Sequence, residues 1–164
     1  MNLVKDKKVL KIILIVSIFF IDRISKILII NFFNESNIQE IYLFDFLNFF
    51  LIWNEGVAFG LLNFDDKLIY NLITMIIIFV SAILLYLGFK KDDLETYFYL
   101  MIFGGALGNI FDRLSYSAVP DFIDFHYGNY HWFIFNVADI FITLGVICLI
   151  LVEIFFNKRV HEKN

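Results

Sequence analysis

The sequence predicts an all-α membrane protein with four transmembrane helices, on three observations. Hydrophobic residues make up 60% of the 164-residue chain, where a soluble domain holds roughly 45–50%. The mean hydropathy is +0.78, more apolar surface than a core this small can hide. Four segments reach the ~20 residues needed to cross a hydrocarbon layer, and their basic flanks alternate from side to side.

The first segment is Val9–Ile30. Lys5, Lys7, Lys8 and Lys11 precede the apolar run Ile12–Ile21, as in a signal peptide. No small-x-small site follows, and Asp22, Arg23 and Lys26 come instead, so an uncleaved helix is expected. The second segment, Leu68–Phe89, has no charged residue, and the third, Leu94–Asp112, is rich in glycine. The fourth is Asn136–Phe156. Between the first two, the outer loop Asn31–Lys67 holds a stretch, Ile38–Trp53, rich in aromatic and β-branched residues, which reads as short strands or a surface-lying element. Leu114–Phe135 is the second outer loop and carries Asp121, Asp124, His126 and His131.

Orientation follows the basic residues. The four N-terminal lysines, Lys90 and Lys91, and Lys158, Arg159 and Lys163 lie on one side, leaving only Lys67 and Arg113 in the opposite loops. Both termini are therefore expected to be cytoplasmic, with the polar residues Asp22, Asp112 and Asp139 near the outer face. A net charge of −4 excludes a nucleic-acid binder. The single cysteine, Cys148, forms no internal disulfide and reads as lipid-facing or packed filler.

Four constellations carry the polar chemistry. Asp22 and Lys26 share a helix face and form either a structural ion pair or the edge of a site. Arg23 falls on another part of the helix and is expected to snorkel outward. Trp53–Gly60 contains a turn at Asn54–Gly56. In Gly104–Arg113, Gly104 and Gly108 permit close helix approach, while Asn109, Asp112 and Arg113 share a face that packing does not explain, a membrane-edge anchor being the plainer reading of the last two. Val119–Phe125 places Asp121 in the second loop. Asn136 is a good N-cap for the fourth helix, with Asp139 at the N3 position.

Asp121 and Asp139 gain meaning together. Both belong at the outer rim of the bilayer, and two close carboxylates cannot both ionise cheaply, so one keeps a proton. The ionised member can take a proton from water and the protonated member can polarise a carbonyl, which is aspartyl-protease chemistry.

Five motifs then resemble, in order and over nearly the whole chain, the bacterial prolipoprotein (type II) signal peptidase family. They are Asp22-x-x-Ser25-Lys26, Asn54-x-Gly56-x-Ala58-Phe59, Gly104-Gly105-x-x-Gly108-Asn109-x-x-Asp112-Arg113, Val119-x-Asp121-Phe122 and Phe135-Asn136-x-Ala138-Asp139-x-x-Ile142. The resemblance implies one integral-membrane peptidase domain over residues 1–164 with a small extracytoplasmic β-rich platform in the first outer loop. It implies an aspartyl endopeptidase of the cytoplasmic membrane that cuts just before a diacylglyceryl-modified cysteine. Asp121 and Asp139 correspond to the catalytic pair, Asn54, Gly56, Asn109, Arg113 and Asn136 to residues lining or supporting the site, and Asp22 and Lys26 to its scaffold or edge. Implied partners are prolipoproteins, membrane lipids and globomycin-like cyclic peptide inhibitors; no metal or other cofactor is required, and one bundle can act alone as a monomer.

Two positions depart from the family pattern: Pro120 stands where an apolar residue is usual, and Glu55 adds a charge to the Asn54–Gly56 turn. Two rival readings remain. A metalloenzyme would use Asp121, Asp124, His126 and His131, although no helical His-x-x-x-His pattern supports it. A small non-enzymatic transport or assembly factor would use Asp22, Lys26 and Asp139 as an ion path, but the inner helix halves are nearly all apolar.

Overall fold

The computed structural model describes residues 3–36, 38–56, 67–128 and 130–157. The chain runs α1 (Leu3–Glu35), β1 (Ile41–Phe44), β2 (Leu47–Asn54), α2 (Lys67–Lys90), α3 (Leu94–Tyr116), β3 (Val119–Tyr127), β4 (Tyr130–Phe135) and α4 (Val137–Val152), which continues as a π-helical turn, Glu153–Asn157. Every apolar segment expected from the sequence lies on a helix. α1 and α3 run past their expected ends, to Glu35 and Tyr116.

α2 and α4 are long and apolar enough to cross a membrane, with 18-residue stretches of mean hydropathy 2.7 within Leu68–Lys90 and 2.5 within Val137–Phe155. α1, at 33 residues, is about 50 Å long, but charged residues interrupt it. Those charges are turned inward: Lys11, Asp22, Arg23 and Lys26 are buried, while Leu10, Ile13, Phe20, Ile24 and Leu28 are exposed. α3 is organised the same way, burying Asp112 and Arg113 while exposing Phe111 and Leu114. A helix bundle with ions inside and Ile, Leu and Phe outside inverts the soluble pattern.

α3 is the spine, with α1, α2 and α4 all packed against it. Its glycines make this possible. A Cβ on Gly105 would stand 2.5 Å from the Ala138 carbonyl oxygen of α4, and one on Gly108 would strike the Asp22 carboxylate of α1. Asp93 caps α3, accepting from Thr96 N at 3.2 Å. Ser117, in the left-handed region at φ 57°, ends it and turns the chain into β3. At the opposite end Lys11, expected only as a flanking charge, is buried and donates to Asp92 Oδ1 at 2.7 Å, tying α1 to the α2–α3 turn. The basic tail residues Lys158, Arg159 and Lys163 lie outside the described residues.

The strands form one antiparallel sheet in the order β1-β2-β3-β4. The expected platform in the first loop is therefore half of the sheet. The second outer loop, for which the sequence reading names no strand, supplies β3 and β4, and β3 is an interior strand carrying Asp121. Pairing of β2 with β3 sets Ile52 against Asp121 and Asn54 against Val119. Phe122, Ile123 and Phe135 form an apolar cluster at the centre of the sheet, with Ile29 of α1 and Val137 of α4 packed against it. Pro120 fits because β4 joins β3 only from Ile123 onward, so at Pro120 the strand pairs with β2 alone, a position where a missing donor is tolerated.

Candidate active site

Four elements converge where the sheet meets the bundle. β3 presents Asp121, α4 presents Asp139 in its first turn, β2 presents Asn54 and α3 presents Asn109 and Arg113. The side chains of all five line one cleft of about 520 Å³. Its other walls are mostly apolar, with Ile76, Val80 and Leu84 of α2 and Ile142 and Val146 of α4, interrupted by the hydroxyl residues Ser81 and Thr143. α2 and α4 pack on α3 rather than extensively on each other, and the cleft runs between them.

The carboxylates are held by amides. Asp121 Oδ1 accepts from Asn136 Nδ2 at 2.6 Å and its Oδ2 from Asn54 Nδ2 at 2.8 Å. Asp139 Oδ1 accepts from Asn109 Nδ2 at 2.9 Å and its Oδ2 from Asn136 N at 3.1 Å. Asn136 thus touches both aspartates. Its Oδ1 accepts from Asp139 N at 3.2 Å, completing the capping box expected at the start of α4.

Each amide is oriented by an unambiguous donor on its oxygen. Asn54 Oδ1 accepts from Gly56 N at 2.9 Å, Asn136 Oδ1 from Asp139 N, and Asn109 Oδ1 from Lys26 Nζ at 2.9 Å. With the oxygen engaged, each side chain must turn its NH₂ toward a carboxylate, so the amide orientation follows from the network. Gly56, also expected in the site, contributes backbone only: its N–H fixes Asn54, and its carbonyl accepts from Arg113. The Arg113 guanidinium stacks over the Tyr70 ring of α2 at 5.0 Å. Ala58 and Phe59 of the same motif lie outside the described residues.

Behind Asn109 sits a buried ion cluster. Lys26 Nζ lies 2.9 Å from Asp22 Oδ2 and 2.7 Å from Asp112 Oδ2, and Arg23 lies 2.6 Å from Asp112 Oδ1. Asp22 Oδ1 accepts from Ala138 N at 2.9 Å, pinning the start of α4. The expected Asp22–Lys26 pair is therefore present as part of a four-member cluster. Arg23 does not snorkel outward: its long side chain reaches α3, where Asp112 and the Phe111 face, 4.9 Å away, offer a better partner than the headgroups. Asp112 is no exposed edge anchor but is fully buried.

Burial, and then the neighbouring charge of Asp139, push the Asp121 carboxyl up to about 7, against the pull of the Asn54 and Asn136 donors. A carboxyl at that value can hold or release a proton near neutrality. Among the residues of the rival metal reading, Asp124, His126 and His131 come together, and Asp121 does not join them. Strand alternation places Asp121 and Asp124 on opposite faces of β3.

Sequence reasoning missed Tyr70 and the structural weight of Arg23 and Asp112. The spacing of Asp112 from Asn109 was the available signal for the last; Tyr70, in an apolar helix, left none.

An inside-out helix bundle with two amide-held carboxylates at the mouth of an apolar cleft defines a membrane enzyme. Comparison with known proteins makes this specific. The family model described as signal peptidase (SPase) II matches residues 14–156. A lipoprotein signal peptidase of Pelagibacter ubique (strain HTCC1062) is 49% identical over 156 residues, covering 94% of each chain. One from Anaplasma marginale (strain Florida) is 34% identical over 93% of this chain and 88% of its own. A bacterial membrane enzyme solved by the in meso method at 2.3 Å resolution superposes with a TM-score of 0.73 at 30% identity, covering 94% of this chain and 91% of its own. The chain belongs to the signal peptidase II family, a family of proteases.

Proposed function

We propose that this chain, as a single integral-membrane peptidase domain, removes signal peptides from diacylglyceryl-modified prolipoproteins by aspartyl catalysis. The observation that carries the reading is the pair Asp121 and Asp139, joined through Asn136 at the head of an apolar cleft.

Asp121, with its carboxyl at about 7, is the member that keeps the proton. Asp139 is the ionised member: it accepts from a backbone N–H at a helix N-terminus, where the macrodipole favours an anion. A water held between them gives one proton to Asp139 as its oxygen bonds to the scissile carbonyl carbon. Asp121 delivers its proton to the carbonyl oxygen. As the C–N bond breaks, Asp139 passes its proton to the leaving nitrogen and Asp121 takes one back from the diol. Asn54, Asn109 and Asn136 hold the carboxylates, and Arg113 fixes the Gly56 turn beside them.

The substrate's acyl chains stay in lipid while its signal helix enters sideways between α2 and α4. All four helices span the bilayer, α1 and α3 passing their charges through the protein interior. Both termini lie in the cytoplasm and the dyad lies near the outer face of the bacterial cytoplasmic membrane. Globomycin-like cyclic peptides inhibit by filling the cleft, and a monomer suffices.

A gel-shift assay with a purified prolipoprotein tests this. The diacylglyceryl-modified form should be cut and protected by globomycin, and the unmodified form left intact. Equal cutting of both forms, or of neither, would defeat the reading.

A further inference from the structure

The far end of the sheet holds a second polar cluster that the dyad chemistry does not use. Asp124 and His126 lie two apart on β3 and so share a face. His131 on β4 is the cross-strand partner of His126. That pairing exists because the β3–β4 register shifts between Phe125 and His126, the kind of irregularity that re-aims side chains beside functional sites.

Both imidazoles turn Nδ1 to the same carboxylate oxygen. His131 Nδ1 is 2.8 Å from Asp124 Oδ2 and His126 Nδ1 is 3.3 Å from it. One oxygen serves both rings poorly, and two buried polar atoms are left without a hydrogen bond: His126 Nδ1 and Asp124 Oδ1. Asp124 is fully buried, so its orphaned oxygen is withdrawn from bulk solvent, and leaving such an atom unpaired is costly. The three potential ligand atoms lie within 4.8 Å of one another. Small side-chain adjustments would bring them to the ~2.0–2.2 Å bonds of a tetrahedral zinc ion with one further position open. A cation there would satisfy both orphans at once.

We propose that Asp124, His126 and His131 form an accessory site for a borderline divalent transition-metal ion, zinc being the best match to two imidazoles and a carboxylate. The site is separate from the peptidase dyad and its ion takes no part in cleavage. It cross-links β3 to β4 near the hairpin turn at Gly128, three residues along β3 from Asp121, and so stiffens the strand that presents that carboxyl.

The test uses untagged, full-length enzyme in detergent, stripped with chelator and titrated with Zn²⁺ by calorimetry and with Co²⁺ by visible absorption. One ion should bind per chain, the Co²⁺ form should show the d–d bands of a four-coordinate nitrogen and oxygen site, and Zn²⁺ should raise the thermal midpoint. His131→Ala and His126→Ala should each weaken binding at least tenfold yet still cleave prolipoprotein, which also reports that they fold. His161→Ala, altering the remaining histidine of the chain, should bind like the parent. No saturable uptake by the parent protein, binding unchanged in both site variants, or binding lost in His161→Ala would overturn the proposal. Cleavage should persist in chelator, and cleavage that is lost with the metal would overturn the separation of this site from the dyad.

Discussion

At the scale of single residues, the site depends on three asparagines that cannot rotate freely. Each has its oxygen engaged by a donor, so each offers hydrogens to a carboxylate. Such donors favour the ionised form, while burial and the second carboxylate favour the protonated one. At Asp121 the second influence prevails and the carboxyl stands at about 7. The sign of the pH response follows. Asp121 is protonated below that value and ionised above it, and the proposed mechanism needs it protonated, so cleavage should fall as pH rises through about 7. Asn54→Ala removes a donor that favours the anion and should move the falling limb to higher pH. A pH–rate profile of both proteins on lipidated substrate checks this, and a limb that moves downward would contradict it.

At the scale of elements, α3 sets the spacing of everything else. At Gly105 the obstacle to a side chain is the Ala138 backbone carbonyl, which cannot swing away. Gly105→Ala should therefore force α4, with Asp139 on its first turn, away from α3. A destabilisation of about 1–3 kcal/mol is expected, read as a lowered thermal midpoint in detergent, and activity should fall with it. Asn136→Ala should cost about 1 kcal/mol through the lost cap, and it should reduce cleavage further because Asp121 loses the contact that positions it against Asp139. The helices were legible in the sequence because ~20-residue apolar runs have few alternatives in lipid. β3 was not. Its central residues include Pro120, Asp121 and Asp124, all buried, so the apolar–polar alternation that reveals a strand is absent. Its partner β2 lies across two intervening helices in the chain, a pairing that no local pattern records. The cap of α4 was legible because Asn136 and Asp139 carry their whole message within one turn.

For the molecule as a whole, charge is kept inside and balanced. Arg23 and Lys26 pair with Asp22 and Asp112, and Arg113 lines the cleft with Asp121 and Asp139; of these three cations and four carboxylates, the single proton of the proposed mechanism would make the set neutral. The motifs named most of these residues but not who pairs with whom: Arg23 reaches Asp112 across the gap between α1 and α3, a contact visible only once the helices are packed. Removing one cation should be severe. Lys26→Met leaves Asp22 and Asp112 short of a partner and frees the Asn109 amide, for an expected loss of about 3–5 kcal/mol, visible as poor yield or early unfolding; Lys26→Arg should recover part of it. The central claim is that two carboxylates share the work of cleavage, and it is tested most directly by assaying purified Asp121→Asn and Asp139→Asn on diacylglyceryl-modified prolipoprotein, with thermal unfolding measured alongside. Each should melt as a folded protein and lose at least about 10²–10⁴-fold in rate. Cleavage at the parental rate by either folded variant would contradict the account.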